Sequence, residues 1–201
     1  MKNYFFYTAI ILLVITNFSN SLFAQKKNEK YKALNAYFET IIKDTTQNVY
    51  VAKEKINSNE TLKIFGLNEI MVIDHFGNGK GDTTLHNKND YEKMKKKHKN
   101  SCVPGERSWW CTDDLWENND FRYKKVILES INTIKKQEAL LLKYDKIYVF
   151  SEPLYYENKK YLIFTVDTLY PSGSNAYVVI MRKIKGKWIV THKAQNPNKI
   201  S

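Results

Sequence analysis

The sequence has few of the residues that define several specialised classes of protein. Its 201 residues include only 7 Gly and 4 Pro, too few for a collagen-like chain, a flexible linker or a Pro-rich docking segment. No segment of 20 to 50 residues recurs along the chain, so a solenoid or propeller array is not expected. The remaining composition, 43% hydrophobic and 14% aromatic, predicts one folded domain of ordinary size.

Arginine is also scarce: the chain has 29 Lys, 3 Arg and a formal net charge of +11. Specific recognition of phosphates and bases favours the bidentate fork of Arg. We therefore do not expect a nucleic-acid partner. A surface rich in Lys instead predicts a weak, salt-sensitive attraction to anionic surfaces.

Long hydrophobic runs are missing beyond the N-terminus, where residues 1–24 have the pattern of a secretory signal peptide. Lys2 precedes an apolar run from Tyr4 to Ile15, and a polar stretch ends at Ala24. That run is shorter than the roughly 20 apolar residues of a bilayer-spanning helix, so no membrane span is expected after cleavage. We expect residues 25–201 to form a single exported domain, periplasmic or secreted.

Only two cysteines are present, Cys102 and Cys111. In an oxidising compartment a pair of this kind predicts a disulfide. Their spacing is not the Cys-x-x-Cys of redox proteins, and a second cysteine pair for a zinc site is missing. The sequence therefore predicts neither a metal site nor a cofactor.

Helical periodicity is clearest near the N-terminus and in the middle of the chain. It predicts a helix over Glu29–Lys43, a Lys-rich helix over Asp90–Lys99 and one or two helices within residues 121–143. Between the first two, β-branched residues indicate extended segments at Asn48–Ile56 and Glu69–His75, followed by a Gly-rich loop over Phe76–Asn89.

The C-terminal quarter predicts four antiparallel strands joined by short turns. They cover Ile147–Tyr156, Tyr161–Thr168, Ala176–Ile184 and Lys187–His192. Helices followed by a run of strands indicate an α+β fold rather than an alternating α/β fold. We expect the N-terminal and middle helices to pack on a four-stranded antiparallel meander.

This C-terminal segment resembles small uncharacterised exported proteins of Bacteroidetes-type bacteria. The resemblance lies in Phe150-Ser151-Glu152-Pro153-Leu154-Tyr155 and in Lys185-Gly186-Lys187-Trp188-Ile189-Val190, and covers about the last fifty residues. The terminal Gly-Lys-Trp strand is also similar to the closing strand of NTF2-like cone domains. The first resemblance implies no activity, and the second implies a pocket between sheet and helices.

The segment around the cysteines suggests a contact surface, because it carries Trp109, Trp110 and, shortly afterwards, Trp116. Rigidly presented aromatic faces stack on sugar rings or contact a partner protein. The favoured hypothesis is thus a non-catalytic binding module with an unidentified glycan or envelope-protein partner. The alternative places the same tryptophans in the core, with the disulfide as a staple.

A second functional hypothesis is an enzyme of NTF2-like shape whose pocket contains Glu152, Asp167 and His192. If Asn158 and Lys159 form a two-residue turn, Glu152 pairs with Thr165 and lies diagonal to Asp167. On one face of the sheet these carboxylates would be roughly 7 to 8 Å apart. Burial would then separate their pKa values, as acid–base catalysis requires.

Overall fold

The computed structural model describes residues 29–73, 79–98, 102, 109–136 and 144–195. The predicted signal peptide lies outside these residues, as do most of the cysteine loop and residues 137–143 of the segment for which one or two helices were predicted. Within the described residues, no helix is long and apolar enough to cross a bilayer.

Helices and strands alternate irregularly along the chain. The helices are α1 (29–41), α2 (Ser58–Gly66), α3 (Lys88–His98) and α4 (Ile131–Lys136), with a short 3-10 turn at Asn118–Asp120. The strands are β1 (Val49–Ala52), β2 (Glu54–Ile56), β3 (Ile70–Ile73), β4 (Gly79–Gly81), β5 (Trp110–Leu115), β6 (Val126–Glu129), β7 (Ile147–Phe150), β8 (Leu154–Tyr156), β9 (Tyr161–Tyr170), β10 (Gly173–Ile184) and β11 (Lys187–Gln195).

Nine of the strands in the described chain form one sheet in the order β4-β3-β11-β10-β9-β7-β1-β6, with β8 also paired to β9. β1 runs parallel to both of its neighbours, and all other pairs in this sheet are antiparallel. β2 and β5 form a separate two-stranded sheet. The α+β class is confirmed, but the expected four-stranded meander is only the centre of the sheet. Pairing with β3 on one side and β1 on the other satisfies backbone groups that β11 and β7 would otherwise leave open.

Helices cover both faces of the sheet. Alternate residues of a strand point to opposite faces, and β9 follows this rule. Phe164 and Val166 pack with α1 in one core cluster, while Ile163 packs with α2 and α3 in another. A third cluster joins α4 to β1 and β7. The central strands are therefore buried on both sides.

Helix α2, which the sequence analysis did not predict, is attached to the sheet by buried hydroxyl groups. Thr61 Oγ1 lies 3.0 Å from Ser151 Oγ and 2.7 Å from Thr165 Oγ1. Ser151 Oγ also accepts a 2.8 Å hydrogen bond from the backbone N–H of Thr165. These bonds satisfy polar groups that would be costly to bury alone.

Three predicted segments differ from the structure. Val126–Glu129 is a strand rather than part of a helix, because it pairs residue by residue with Val49–Ala52. Gly79–Gly81 lies within the expected loop but forms a strand against β3. The first predicted C-terminal strand is divided at Ser151–Pro153, where Ser151 forms a separate bridge to Ile56.

Candidate functional site

A cavity of about 450 Å³ opens at one end of the sheet. It lies where the C-terminal end of α1 meets the start of β1, the start of β7 and the end of β9. We call it the tyrosine cavity, because its lining includes Tyr50, Tyr144, Tyr148 and Tyr170. Its volume falls within the range of about 300–1,000 Å³ that is usual for small-ligand sites.

The aromatic rings of the tyrosine cavity are held at different depths. Tyr50 in β1 stacks on Tyr144 with ring centroids 3.6 Å apart. Tyr148 in β7 is buried and packs edge-on against Phe38 of α1, with centroids 6.3 Å apart. Tyr170, the last residue of β9, is 40% exposed. The cavity therefore has a fixed aromatic wall and, in Tyr170, an exposed ring at its rim.

Polar side chains from two connections complete the rim: Lys43, Asp44, Gln47 and Asn48 follow α1, and Asp145 and Lys146 precede β7. Asp44 Oδ1 accepts hydrogen bonds from the hydroxyl (2.6 Å) and backbone N–H (2.8 Å) of Thr46. These bonds lower the pKa of Asp44. Asp145 has a φ of +55°, a left-handed conformation that non-glycine residues adopt at a cost.

The C-terminal end of α1 faces the same cavity through Ile41 and Ile42. The backbone N–H of Ile42 donates a 3.2 Å bond to Phe38 O, which closes the last turn. The carbonyl groups at a helix C-terminus carry a partial negative charge. This end of the helix therefore disfavours anionic groups in the adjoining part of the cavity.

Glu152, one of the predicted catalytic residues, belongs to a charged cluster elsewhere, formed with Lys30, Tyr31, Lys55 and Asp114. Its carboxylate lies 3.2 Å from Lys30 Nζ, 3.1 Å from Lys55 Nζ and 3.1 Å from the Tyr31 hydroxyl. Burial alone would raise the pKa of Glu152, but the two ammonium groups outweigh it and the pKa is lowered. Glu152 is thus an ionised partner in ion pairs, not a candidate general acid.

The structure does not bring Glu152 and Asp167 together. The predicted hairpin register is the one observed between β8 and β9, with Leu154 opposite Ile163. The register shifts by one residue at Ser151–Pro153, however, so the backbone N–H of Ser151 bonds to Thr165. Glu152 contacts side chains of α1, whereas Asp167 is buried and shares the face on which Thr165 meets α2.

His192 lies apart from both carboxylates. It pairs with Ile180 in β10, which in turn pairs with Ile163 in β9. Asp167 lies four residues farther along β9, roughly 13 Å at the usual rise of a strand, and two strands away. The His192 imidazole instead lies 3.2 Å from Asp82 Oδ2. The predicted catalytic group of Glu152, Asp167 and His192 is therefore not assembled.

Trp116 is part of the core, so in this structure it offers no exposed face for its predicted ligand-binding role. It has no exposed surface, and its indole N–H donates a 3.3 Å bond to Phe150 O. Lys55 Nζ lies 4.4 Å from the centre of its ring, which is a cation–π distance. Trp116 is buried because of its position in the chain. It comes directly after β5 and packs in the same core cluster as α1.

The predicted disulfide between Cys102 and Cys111 is confirmed. Trp109 and Trp110 are half-buried and contact each other edge-on, with ring centroids 6.3 Å apart. Both pack against the cluster around α4, and the carbonyl of Trp109 accepts a 2.8 Å bond from Asn57 N–H. These contacts give the pair an architectural role, and the surface role remains a prediction. Residues 103–108 of the loop lie outside the described residues.

Metal-ligating side chains do not converge in the part of the chain that the structure describes. No group of three His, Cys, Asp or Glu residues there has the arrangement of a metal site. The comparisons with known proteins add no assignment: no family model, curated protein or solved structure matches this chain.

The sequence analysis did not identify the tyrosine cavity. Its lining comes from the end of α1, the α1–β1 connection, the start of β7 and the end of β9, which share no motif. The one available indication was the recurrence of Tyr near the ends of predicted strands, at residues 50 and 148 and, two residues beyond a predicted strand, at residue 170.

Proposed function

We propose that this protein is an exported, non-catalytic binding module whose ligand occupies the tyrosine cavity. The observation that carries the proposal is the combination of a fixed aromatic wall with an accessible polar rim around about 450 Å³. Small-ligand sites commonly combine aromatic walls with a few polar groups that set orientation. The cavity replaces the tryptophan segment as the favoured site, because Trp116 is buried and the backbone carbonyl of Trp109 is hydrogen-bonded to the backbone N–H of Asn57.

The charged groups of the tyrosine cavity support binding rather than catalysis. A general acid at neutral pH needs a raised pKa. The pKa of Asp44 is lowered by its bonds to Thr46. The acidic and imidazole side chains of the alternative enzyme hypothesis lie elsewhere and apart from one another.

Export is supported by the N-terminal pattern and by the disulfide. Disulfides persist in secreted and periplasmic proteins and are rare in the cytosol. The resemblance to small exported proteins of Bacteroidetes-type bacteria is part of the same proposal. The excess of Lys predicts a weak, salt-screened attraction to anionic surfaces in addition to the specific site.

The test is a thermal-shift screen of the full-length protein against neutral sugars, aromatic acids, polyamines and nucleotides. It is run in parallel on Tyr170→Ala and on Tyr155→Ala. Tyr155 is a matched control because it is half-buried in β8 near Lys30, at the other end of α1. We expect a ligand that raises Tm in the wild type and in Tyr155→Ala but not in Tyr170→Ala. Ligands that stabilise all three proteins equally would place the site elsewhere and overturn the proposal.

A further inference from the structure

The aromatic groups of the tyrosine cavity suit a ring-shaped ligand. The faces of Tyr50 and Tyr144 are stacked on each other, which forms a rigid wall. Tyr170 is 40% exposed, and it lies at the rim. An exposed phenol face binds C–H groups of a flat, partly apolar ligand while its hydroxyl group remains in water.

Anionic ligands are disfavoured at the inner wall of the cavity. The C-terminal end of α1, which carries the partial negative charge of the helix dipole, borders the cavity. The carboxylates of Asp44 and Asp145 lie on the same rim. Phosphate sites use the opposite arrangement, in which a helix N-terminus and its N–H groups face the anion.

Cationic ligands are disfavoured at the mouth of the cavity. Lys43 and Lys146 are both exposed on the rim, and Lys146 Nζ lies 5.6 Å from the centre of the Tyr148 ring. That ammonium group already occupies the cation–π position over Tyr148, and both Lys side chains repel a cation that approaches the mouth. The two Lys and the two Asp residues also balance in charge, so the rim has no net preference for either sign.

The hydrogen-bonding groups that remain suit hydroxyl groups. The carboxylates accept hydrogen bonds, and the amides of Gln47 and Asn48 and the phenols both donate and accept. A ligand that matches this lining is uncharged, has many hydroxyl groups and has an apolar face. From this match, and resting on the proposed function, we propose that the tyrosine cavity binds a neutral carbohydrate, one or two sugar rings at a time.

The experiment is a glycan array with three matched sets of probes, applied to the full-length chain. The neutral set contains cello-, malto-, xylo-, manno- and N-acetylated chito-oligosaccharides. The acidic set contains oligogalacturonates and heparin fragments, and the cationic set contains deacetylated chito-oligosaccharides. Bound probes are then titrated in solution at low and high NaCl concentrations.

We expect a neutral oligosaccharide to bind with an affinity that is nearly independent of salt, because a neutral ligand has no charge to screen. Tyr170→Ala should weaken this binding about tenfold, the effect of losing one stacking face, and Tyr155→Ala should not weaken it. Gln47→Ala is a second variant, on an exposed rim residue whose loss leaves the core unchanged. Gln47→Ala should also weaken binding. It therefore tests the cavity independently if Tyr170→Ala fails to fold.

The contrary outcomes separate the two proposals. Binding of only acidic or only cationic probes, lost in Tyr170→Ala, overturns the carbohydrate inference and leaves the cavity as the binding site. Carbohydrate binding that both cavity variants retain overturns the cavity as the site, and with it both proposals. If no probe of the array binds, the carbohydrate inference is wrong, and the small-molecule screen alone decides the proposed function.

Discussion

The ammonium group of Lys55 lies 3.1 Å from the carboxylate of Glu152, a residue 97 positions away in the chain. The side chain of Lys55 is only 6% exposed, and a second carboxylate, that of Asp114, lies 2.6 Å from it. Lys55 belongs to β2, Asp114 to β5 and Glu152 to the connection between β7 and β8. The ion pair between Lys55 and Glu152 therefore joins the two-stranded sheet to the nine-stranded sheet.

Replacing Lys55 by Met should destabilise the protein strongly. The variant leaves Glu152 largely buried with one of its two ammonium partners removed, and breaking a buried ion pair costs about 3–5 kcal/mol. We expect a loss near the lower end, about 3 kcal/mol, because Lys30 remains in place. Urea unfolding followed by tryptophan fluorescence measures the change.

Lys160→Met is the matched control for that experiment. Lys160 also pairs with a glutamate, Glu157, at 3.1 Å, but its side chain is 48% exposed. An exposed pair contributes about 0–1 kcal/mol, so this variant should unfold almost like the wild type. Equal losses in Lys55→Met and Lys160→Met would contradict the structural role of the buried pair.

Acid should weaken the ion pairs that Glu152 forms with Lys30 and Lys55. The pKa of Glu152 is lowered from its usual value of 4.5 in the folded protein. Its ionised form therefore stabilises the fold above pH 4.5, and this stabilisation is lost as the pH falls from there through the lower folded-state pKa. We expect Glu152→Gln to be less stable than the wild type at pH 7, and the difference to shrink as the pH falls below 4.5. Urea midpoints across this range test it, and a difference that grew on acidification would exclude the ion-pair explanation.

Gly66→Ala should destabilise the contact between α2 and α3. A Cβ at Gly66 would overlap the phenol of Tyr91, whose hydroxyl group donates a 3.1 Å bond to Leu62 O. Overpacking costs about 1–3 kcal/mol and outweighs the gain of up to about 1 kcal/mol from Ala in a helix. Gly81→Ala is the control, because a Cβ there meets nothing within 4 Å. Two variants of equal stability would mean that the two helices do not approach as closely as the structure shows.

Removing the disulfide should destabilise the oxidised protein moderately. The chain between Cys102 and Cys111 closes a short loop, with a sequence separation of 9, for which the entropy model gives about 2.5 kcal/mol. Guanidinium unfolding of the wild type with and without dithiothreitol measures this loss. The double variant Cys102→Ser/Cys111→Ser should behave like the reduced protein and show no response to the reductant. A response of the double variant to reductant would show that the change has another source.

The central meander could be predicted from sequence because its determinants are local. Its strands are rich in β-branched and aromatic residues, and short turns separate them. Lys185 and Gly186, with φ of +47° and +81°, form the two-residue turn that places Ile184 opposite Lys187. The α1 helix was predicted for a similar reason, since its apolar stripe is complete within one segment.

The flanking strands could not be predicted because their partners lie far away in the chain. The run Val126–Glu129 fits a helix or a strand by periodicity alone. Pairing with Val49–Ala52, 77 residues earlier, decides the outcome. β4 is even harder to predict from sequence, since Gly-Lys-Gly has little strand propensity and depends on pairing with β3 for its conformation.

The candidate site was beyond sequence reasoning for the same physical reason. Residues of the tyrosine cavity lie between positions 41 and 170 and meet only at the end of the assembled sheet. Glu152, in contrast, was selected from the sequence as a candidate catalytic carboxylate, but its ion-pair partners on α1 and β2 could not be read from the pattern of its own segment.

The position of β1 between β7 and β6 constrains the order in which the chain can become structured. β1 needs residues 126–129 and residue 148 as hydrogen-bonding partners, and α1 needs Phe164 and Val179 to cover its apolar side. During synthesis the N-terminal segment therefore emerges long before its partners exist. Until the last quarter of the chain has been made, α1 and β1 of a ribosome-bound intermediate would lack the residues that cover them. In that state they would be accessible to chaperones, to proteases or to a secretion channel that accepts unfolded chains.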